Sequence, residues 1–234
     1  EYAECLLKMK FLTDPVRRFE LIETILYDGA RGFWLMDYHR KRLENSAAYF
    51  GFAFEGKQVD AALAAAVDGK RDERLRVRLV LDEDGRITVT TTPQPAAAEG
   101  AVMHYVVSDT RLKSSDLFLY HKTTRRQLYD SEWSHYAQTL GADEVIYLNE
   151  NGELAEGSRT TIFIERNGKL LTPRLAAGLL PGTLRQSLLD DGRAVEAALT
   201  LDDVAGADAI YLGNSVRGLM KAVPLVPKLS PKHS

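Results

Sequence analysis

The stretch "RLRVRLVLDEDGRITVTTT", residues 74–92, predicts two β-strands joined by a tight acidic turn. Alternation of apolar and other residues along a strand turns one face to the core and the other to the surface. The Asp-Gly pair in the middle suits the turn of an antiparallel hairpin. The first strand is therefore expected to bury one face, made of Leu75, Val77, Leu79 and Leu81.

A second hairpin and two helices are predicted before this stretch. Residues 19–27, "FELIETILY", are rich in strand formers, and "DGARG" turns the chain into the short run "FWLM". The segment "DYHRKRLENSAAYFGF" predicts a helix that Asp37 caps and that ends at Gly51. "VDAALAAAVDG" predicts another helix. This part of the chain is of the α+β class.

A domain boundary is predicted at residues 93–100, "PQPAAAEG", because prolines and small residues are typical of a linker. We expect a small α+β domain at 1–93, a linker at 94–100 and a larger domain at 101–234. In the larger domain the strand patterns are "AVMHYVVS", "EVIYLN", "TTIFIE" and "KLLTP". Helices are expected over residues 123–140 and at "PGTLRQSLLDDG", before a closing strand, polar loop and strand, "AIYLGNSVRGLMKAV".

The bulk composition favours a protein that acts on a small molecule. The net charge of -3 provides no field that gathers polyanions, so neither nucleic acid nor a membrane surface is an expected partner. The single cysteine, Cys5, cannot form an internal disulfide, which suits the reducing cytoplasm. Its side chain is interpreted as an apolar group that fills space. With no apolar run long enough to cross a bilayer and no signal pattern, we expect a soluble, cytoplasmic protein. No metal site is predicted.

Lys122 is the first candidate for chemistry. It lies in "LFLYHKTTRRQLYD", residues 117–130, where an apolar run leads directly into the lysine. If the chain leaves a buried strand here, burial and the neighbouring Arg125 and Arg126 disfavour the ammonium form. A lysine of this kind is a nucleophile toward carbonyl groups. The alternative interpretation is a solvated basic helix face.

Three further segments are candidates. Glu156, in "ELAEGSRTTIFI", follows a turn and precedes a strand, although a glutamate in such a place, taken alone, is more often a surface charge of a loop. In "GLLPGTLRQSLL" a glycine-containing loop opens a helix at Thr183 and Leu184, where free N–H groups suit a phosphate. In "GNSVRG" the loop residues Asn214 and Ser215 offer small polar donors.

The order of these segments along the chain, after an earlier "HRKRL", resembles the class IV aminotransferase-like, fold-type IV pyridoxal phosphate enzymes. The resemblance covers about residues 19–224. It implies a small α+β domain and a larger domain with a barrel-like core, with pyridoxal 5′-phosphate in the cleft between them. It also implies a homodimer whose partner chain helps to wall the site.

The resemblance also implies a role for each candidate. Lys122 would form the Schiff base with the cofactor aldehyde, and Glu156 would hydrogen-bond the pyridine nitrogen and keep it protonated. Arg42 would grip the phosphate with its planar guanidinium fork. The remaining phosphate contacts would come from Thr183, Leu184, Asn214 and Ser215.

Within this family the sequence is most similar to the lyase portion of fused aminodeoxychorismate synthase/lyase chains. The segments that carry this likeness are "EYAECLLKMKFL", "FELIETILYDGARGFWLMDYHRKRLENSAAYFGF", "HKTTRRQLYD" and "GLLPGTLRQSLL". It implies conversion of 4-amino-4-deoxychorismate to 4-aminobenzoate and pyruvate, a step toward folate. The segments "EYAECLLKMK" and "TDPVRR" resemble a fusion junction, so a fused or associated synthase domain is an expected partner.

Two other functions stay open at this point. A class IV transaminase acting on branched-chain or D-amino acids shares the first chemical steps and differs in where the proton returns. A non-catalytic C-terminal module of a fused synthase is the second alternative.

Several other residues are weaker candidates. Thr24, on the "IET" strand, could help to move a proton to the departing pyruvate, or could be structural. Arg78 and Arg125 are candidate partners for substrate carboxylates, although solvated arginines fit as well. Structural roles are expected for His121, His39, Trp34 and Trp133.

Overall fold

The computed structural model describes residues 19–225. The predictions for Cys5 and for the segments "EYAECLLKMK" and "TDPVRR" fall outside the described residues. Between residues 19 and 225, none of the helices is long and apolar enough to cross a bilayer.

The smaller sheet has four antiparallel strands in the order β2-β1-β3-β4. They are β1 (Leu21–Asp28), β2 (Gly32–Phe33), β3 (Arg74–Leu81) and β4 (Ile87–Pro93). Both predicted hairpins are present, although β2 is shorter than "FWLM" because the following helix begins at Met36.

The predicted alternation in β3 is confirmed. Leu75, Val77, Leu79 and Leu81 are each at most 2% exposed. Helices α1 (Met36–Phe50) and α2 (Gly56–Ala66) cover this face. Burial of each such side chain contributes roughly 1.5–3 kcal/mol. The predicted cap is wrong: Leu35 precedes the first helical residue and Asp37 lies inside the first turn, whereas Gly51 does end α1.

The larger sheet has eight strands in the order β10-β9-β8-β11-β12-β5-β6-β7. It curls so that β7 also contacts β8 and β9, which closes the sheet toward a barrel. All six residues of β6 are buried, as expected for a strand covered on both faces. Its strands are β5 (Val102–Leu112), β6 (Glu144–Asn149), β7 (Leu154–Gly157), β8 (Thr161–Arg166), β9 (Lys169–Pro173), β10 (Ala194–Ala197), β11 (Ala209–Asn214) and β12 (Gly218–Pro224).

Three helices accompany the larger sheet: α3 (Gln127–Leu140), α4 (Thr183–Asp190) and α5 (Leu201–Ala205). Strands β7 and β10 and helix α5 were not predicted. They are four or five residues long, too short for a periodic pattern to stand out.

The region around Lys122 differs from its prediction. The apolar run Leu117–Tyr120 is a 3-10 turn, not a buried strand, and α3 begins at Gln127 rather than at residue 123. The intervening residues run beside β1: the Ile22 N–H donates to the Lys122 carbonyl at 2.9 Å, and Thr123 pairs with Leu21. Tertiary pairing has overridden local helix preference here.

Candidate active site

A cavity of about 720 Å³ is lined by residues of both sheets. The smaller sheet contributes Thr24 and Arg78, and the larger sheet with its helices contributes Glu156 and Thr183. Lys122 lines it from the segment that runs beside β1. The structure therefore brings the predicted site residues, which are far apart in sequence, to one place.

Lys122 is partly enclosed at this cavity. Burial, together with the charges of Arg126 and Arg42, lowers the pKa of its amine to about 7. Among residues 19–225 its amine has no hydrogen-bond or ion-pair partner. This geometry agrees with the predicted lowering of the lysine pKa. The positive charges that contribute are Arg126 and Arg42, whereas the sequence suggested Arg125 and Arg126. A substantial fraction of the amine is neutral near pH 7.

Glu156 is 8% exposed and lies within β7, a short strand that was not predicted. The sequence had placed it between a turn and the next strand. Its Oε1 accepts a hydrogen bond from the Tyr129 hydroxyl at 2.6 Å, and its Oε2 accepts one from the Leu180 N–H at 3.0 Å. Burial raises the pKa of Glu156, and the two hydrogen bonds lower it by less than burial raises it. Its carboxyl group is held in one orientation and has lone pairs left for another donor.

Arg42 points from α1 toward the start of α4. Its Nε and Nη2 donate to the two oxygens of Glu23 at 2.8 and 2.6 Å, and its Nη1 donates to the Pro181 carbonyl at 3.1 Å. Three of the five guanidinium donors are used, and two remain for an anion. The predicted phosphate-binding arginine is thus oriented beforehand by a carboxylate.

Glu23 was not predicted as a site residue. It is 2% exposed, and its Oε2 lies 2.6 Å from His39 Nδ1. Burial alone raises the pKa of this carboxyl, but Arg42 and His39 outweigh it and lower the pKa to about 2. A signal was present: Glu23 alternates with Leu21 and Ile25, so a carboxyl group occupies a core position of β1.

His39 connects Glu23 to α4. Burial lowers the pKa of His39, so its imidazole is neutral near pH 7. Its Nδ1–H then donates to Glu23, and Nε2 accepts from the Thr183 hydroxyl at 3.3 Å. His39 therefore has more than the structural role expected of it: it orients Thr183, whose main-chain N–H stays free for an anion.

The N-terminus of α4 forms another wall of the cavity. No side chain caps this helix, and Thr183 and Leu184 are buried there. A Cβ atom at Gly182 would lie 2.8 Å from Thr161 Oγ1, so a larger residue would require Thr161 or the start of α4 to shift. The free N–H groups and the helix dipole suit a phosphate.

In the loop after β11, the side chains of Asn214 and Ser215, both predicted as phosphate contacts, line the cavity and also hydrogen-bond to the protein. The Asn214 side chain donates to the Arg159 carbonyl at 3.1 Å and accepts from the Val216 and Arg217 N–H groups at 3.0 Å. Its amide therefore organises the loop. The Ser215 hydroxyl donates to the Thr24 carbonyl at 3.4 Å, which ties the loop to β1.

The weaker candidates are also placed. Thr24 and Arg78 are cross-strand partners on β1 and β3, and both line the cavity. Arg125 is exposed, with its guanidinium 3.9 Å from the centre of the Phe118 ring. His121 hydrogen-bonds Ser46 at 2.9 Å and packs on Phe50. That environment fits the structural role expected for His121.

Comparison with known proteins places the chain in a family. A family model described as "Amino-transferase class IV" matches residues 20–223, and the chain belongs to that family. "Putative aminodeoxychorismate lyase" from Schizosaccharomyces pombe is 29% identical over 88% of this chain and 90% of its own length.

Two solved structures show the same fold. A "Putative amino-acid aminotransferase" from Mesorhizobium loti has a TM-score of 0.83 and 43% identity over 88% of this chain and 99% of its own. The "PLP-bound form" of "a hypothetical aminotransferase" from Mycobacterium tuberculosis has a TM-score of 0.76 and 24% identity over 88% of this chain and 81% of its own. The fold-type IV, α+β expectation is thereby confirmed, as is membership of the pyridoxal phosphate-dependent class.

The residues at the cavity fit that cofactor. The uncapped start of α4 and the two remaining Arg42 donors suit its phosphate, and Glu156 suits its ring nitrogen. The partner-free amine of Lys122 suits its aldehyde.

Proposed function

We propose that the protein binds pyridoxal 5′-phosphate and acts as a 4-amino-4-deoxychorismate lyase that forms 4-aminobenzoate and pyruvate. The observation that carries the cofactor assignment is the Lys122 amine, whose pKa is lowered to about 7 in a cavity that also contains Glu156. The lyase assignment is supported by the Schizosaccharomyces pombe relative, whose name is that of a lyase and which aligns with 88% of this chain.

Each site residue then has a defined task. When bound, the cofactor supplies an aldehyde that joins amines covalently and a protonated ring that withdraws electrons. Glu156 accepts the ring N–H and so holds that proton in place. Arg42 and the N–H groups of Thr183 and Leu184 hold the phosphate, with the 213–218 loop beside them.

Lys122 moves the proton. With the substrate amine bound in its place, the neutral Nζ of Lys122 would accept the proton from the ring carbon that bears the substrate nitrogen. The electron pair of that C–H bond would expel the neighbouring enolpyruvyl ether oxygen, which breaks the C–O bond and releases the precursor of pyruvate. Thr24 faces the cavity and can pass a proton toward the departing pyruvate. Arg78 and Arg125 also line the cavity and are the candidates to hold one substrate carboxylate.

A transaminase is the second candidate, favoured by the Mesorhizobium loti protein of 43% identity that is named as an aminotransferase. It would use the same lysine and the same phosphate site. The transaminase would break no carbon–oxygen bond and would return the proton to another carbon, whereas the lyase would expel the enolpyruvyl ether, which becomes pyruvate.

The cofactor assignment is tested by the visible absorption spectrum of the protein mixed with pyridoxal 5′-phosphate. We expect a band for the lysine-bound cofactor that disappears in Lys122→Ala and remains in Lys169→Ala, which removes an exposed lysine at the start of β9. If Lys122→Ala keeps the band, the assignment is wrong. If the parent shows no band but associates with a synthase domain, a non-catalytic module is the better proposal.

The reaction is tested by product analysis. A lyase releases pyruvate and 4-aminobenzoate in equal amounts from 4-amino-4-deoxychorismate, and Lys122→Ala stops both. New keto acids formed from branched-chain or D-amino acids, with no pyruvate release, would favour the transaminase. Light scattering of the loaded protein tests the homodimer, which we propose from the family resemblance.

A further inference from the structure

Among residues 19–225, five of the arginines that line the cavity form no side-chain hydrogen bond or ion pair: Arg76, Arg78, Arg125, Arg159 and Arg217. Of these, Arg159 and Arg217 are linked through Asn214. Arg159 follows β7 and Arg217 lies in the turn between β11 and β12, and both side chains are exposed and line the cavity. Over residues 19–225, neither guanidinium forms a hydrogen bond or an ion pair with another side chain. By contrast, the nearby Arg126 lies 3.7 Å from Asp130 and also donates to the Ser158 carbonyl.

Arg159 is nevertheless held in place. Its N–H donates to Glu144 Oε2 at 3.2 Å, and its carbonyl accepts from the Asn214 side chain at 3.1 Å. Its guanidinium stacks 3.6 Å from the centre of the Trp133 ring. Main chain and side chain are both restrained, so little conformational entropy remains to be lost on binding a ligand.

Asn214 links the two arginines. While its Nδ2 binds the Arg159 carbonyl, its Oδ1 accepts the Arg217 N–H at 3.0 Å. Burial lowers the pKa of Arg159, and the charges of Arg126 and Arg217 lower it further. The charges of Glu144 and Asp130 raise it. Arg217 is therefore close enough to repel Arg159.

The nearest acid does not neutralise this pair. Glu144 is 1% exposed, and its oxygens accept from the hydroxyls of Ser158 and Thr160 and from the Arg159 N–H. Its role is to hold the turn after β7. The guanidinium donors of Arg159 and Arg217 stay available at the cavity, and planar guanidinium groups match carboxylates.

We propose that Arg159 and Arg217 form an anion subsite on the open side of the cavity that binds a second carboxylate of the substrate. The substrate class is then a dicarboxylate whose second acid group is remote from the amine-bearing carbon. The identity of the substrate rests on the proposed function, whereas the subsite itself is defined by these two arginines. Asn214 is a positioning residue for both.

The test measures binding of isophthalate and of benzoate to the cofactor-loaded protein by calorimetry. These probes differ by one carboxylate. We expect isophthalate to bind more tightly than benzoate, and Arg159→Gln or Arg217→Gln to reduce that preference about tenfold, or about 1.4 kcal/mol. The matched control, Arg193→Gln, removes an exposed arginine that does not line the cavity and leaves the preference unchanged.

A spectroscopic measurement locates the ligand. In a Trp34→Phe background, Trp133 is the remaining tryptophan, and isophthalate should shift its emission because Arg159 stacks on it. An unchanged preference in Arg159→Gln and Arg217→Gln, or no preference in the parent, would overturn the subsite. If dicarboxylate selectivity holds but pyruvate release fails, the proposed lyase reaction is wrong and the subsite stands.

Discussion

The Lys122 amine shows how neighbouring charges prepare a nucleophile. Burial has the largest effect on its pKa, and Arg126 is the strongest nearby charge. Arg125 adjoins Arg126 in sequence, yet its guanidinium lies over Phe118 and is not among the main causes of this shift. Two adjacent arginines therefore have different effects on one lysine.

This difference predicts a pH dependence. Because the pKa of Lys122 is about 7, the rate of pyridoxal 5′-phosphate uptake should rise with pH and reach half its limit near that value. Arg126→Gln removes a repelling charge, so the midpoint should move upward by roughly one pH unit. Arg125→Gln is the control and should leave it in place. An unshifted midpoint in Arg126→Gln would contradict this account.

Glu23 predicts a stability effect. Glu23→Gln leaves the Arg42 guanidinium, whose side chain is 9% exposed, without its carboxylate. Breaking a buried pair in this way costs roughly 3–5 kcal/mol, measured by urea unfolding. Asp60→Asn breaks the pair between Arg40 on α1 and Asp60 on α2, whose side chains are 38% and 42% exposed, and should cost less than about 1 kcal/mol.

Acid titration provides a separate check on Glu23. Its pKa is lowered from 4.5 to about 2, so its contribution to stability is complete above 4.5 and is lost as the pH falls toward 2. The stability difference between parent and Glu23→Gln should shrink over that interval. A difference that stays constant with pH would mean that the carboxylate charge is unimportant.

At the scale of elements, the approach of α4 to the cavity depends on Gly182. A Cβ atom there would meet Thr161 Oγ1 at 2.8 Å, and Gly182→Ala should displace the start of the helix. We expect a several-fold weaker affinity for pyridoxal 5′-phosphate and a stability loss of about 1 kcal/mol or more.

The matched control is Gly56→Ala at the start of α2, where the nearest atoms are 3.8 Å from an added Cβ. This variant should keep its cofactor affinity and its stability, or gain about 0.5 kcal/mol from reduced freedom of the unfolded chain. Equal cofactor affinities for the two variants would show that the close approach of α4 is not required.

At the scale of the whole molecule, we propose that the chain has the two domains predicted from the sequence, joined by a linker at residues 94–100. The smaller sheet ends at Pro93 and the larger begins at Val102, and residues 95–100 are exposed. Hydrogen bonds cross between the two parts, including that from Ile22 to Lys122 and that from Arg42 to the Pro181 carbonyl.

Limited digestion with elastase, which cleaves after small residues, tests this division. The first cut should fall among the alanines at 96–98. The two fragments should elute together in gel filtration because the contacts across the cavity persist, and should separate in urea. First cleavage inside either sheet would contradict the proposed boundary.

Local patterns in the sequence were sufficient for the elements that have a clear period. The alternation of β3, the hairpins and helix α1 were predicted because each is decided by neighbours two to four residues apart. Lys122, Glu156, Arg42 and Thr183 could also be named as candidates, because their surrounding motifs are local, and all four line the cavity.

The sequence by itself determined the fold class, the main strands and the residue types of the site. Tertiary structure alone decided that Lys122 lies on an extended segment beside β1, that Glu23 and His39 orient Arg42 and Thr183, and that Asn214 holds two loops together. The physical reason is distance along the chain. A hydrogen bond between residues 144 positions apart, such as that between His39 and Thr183, has no local pattern, and it forms only when two separate elements pack together.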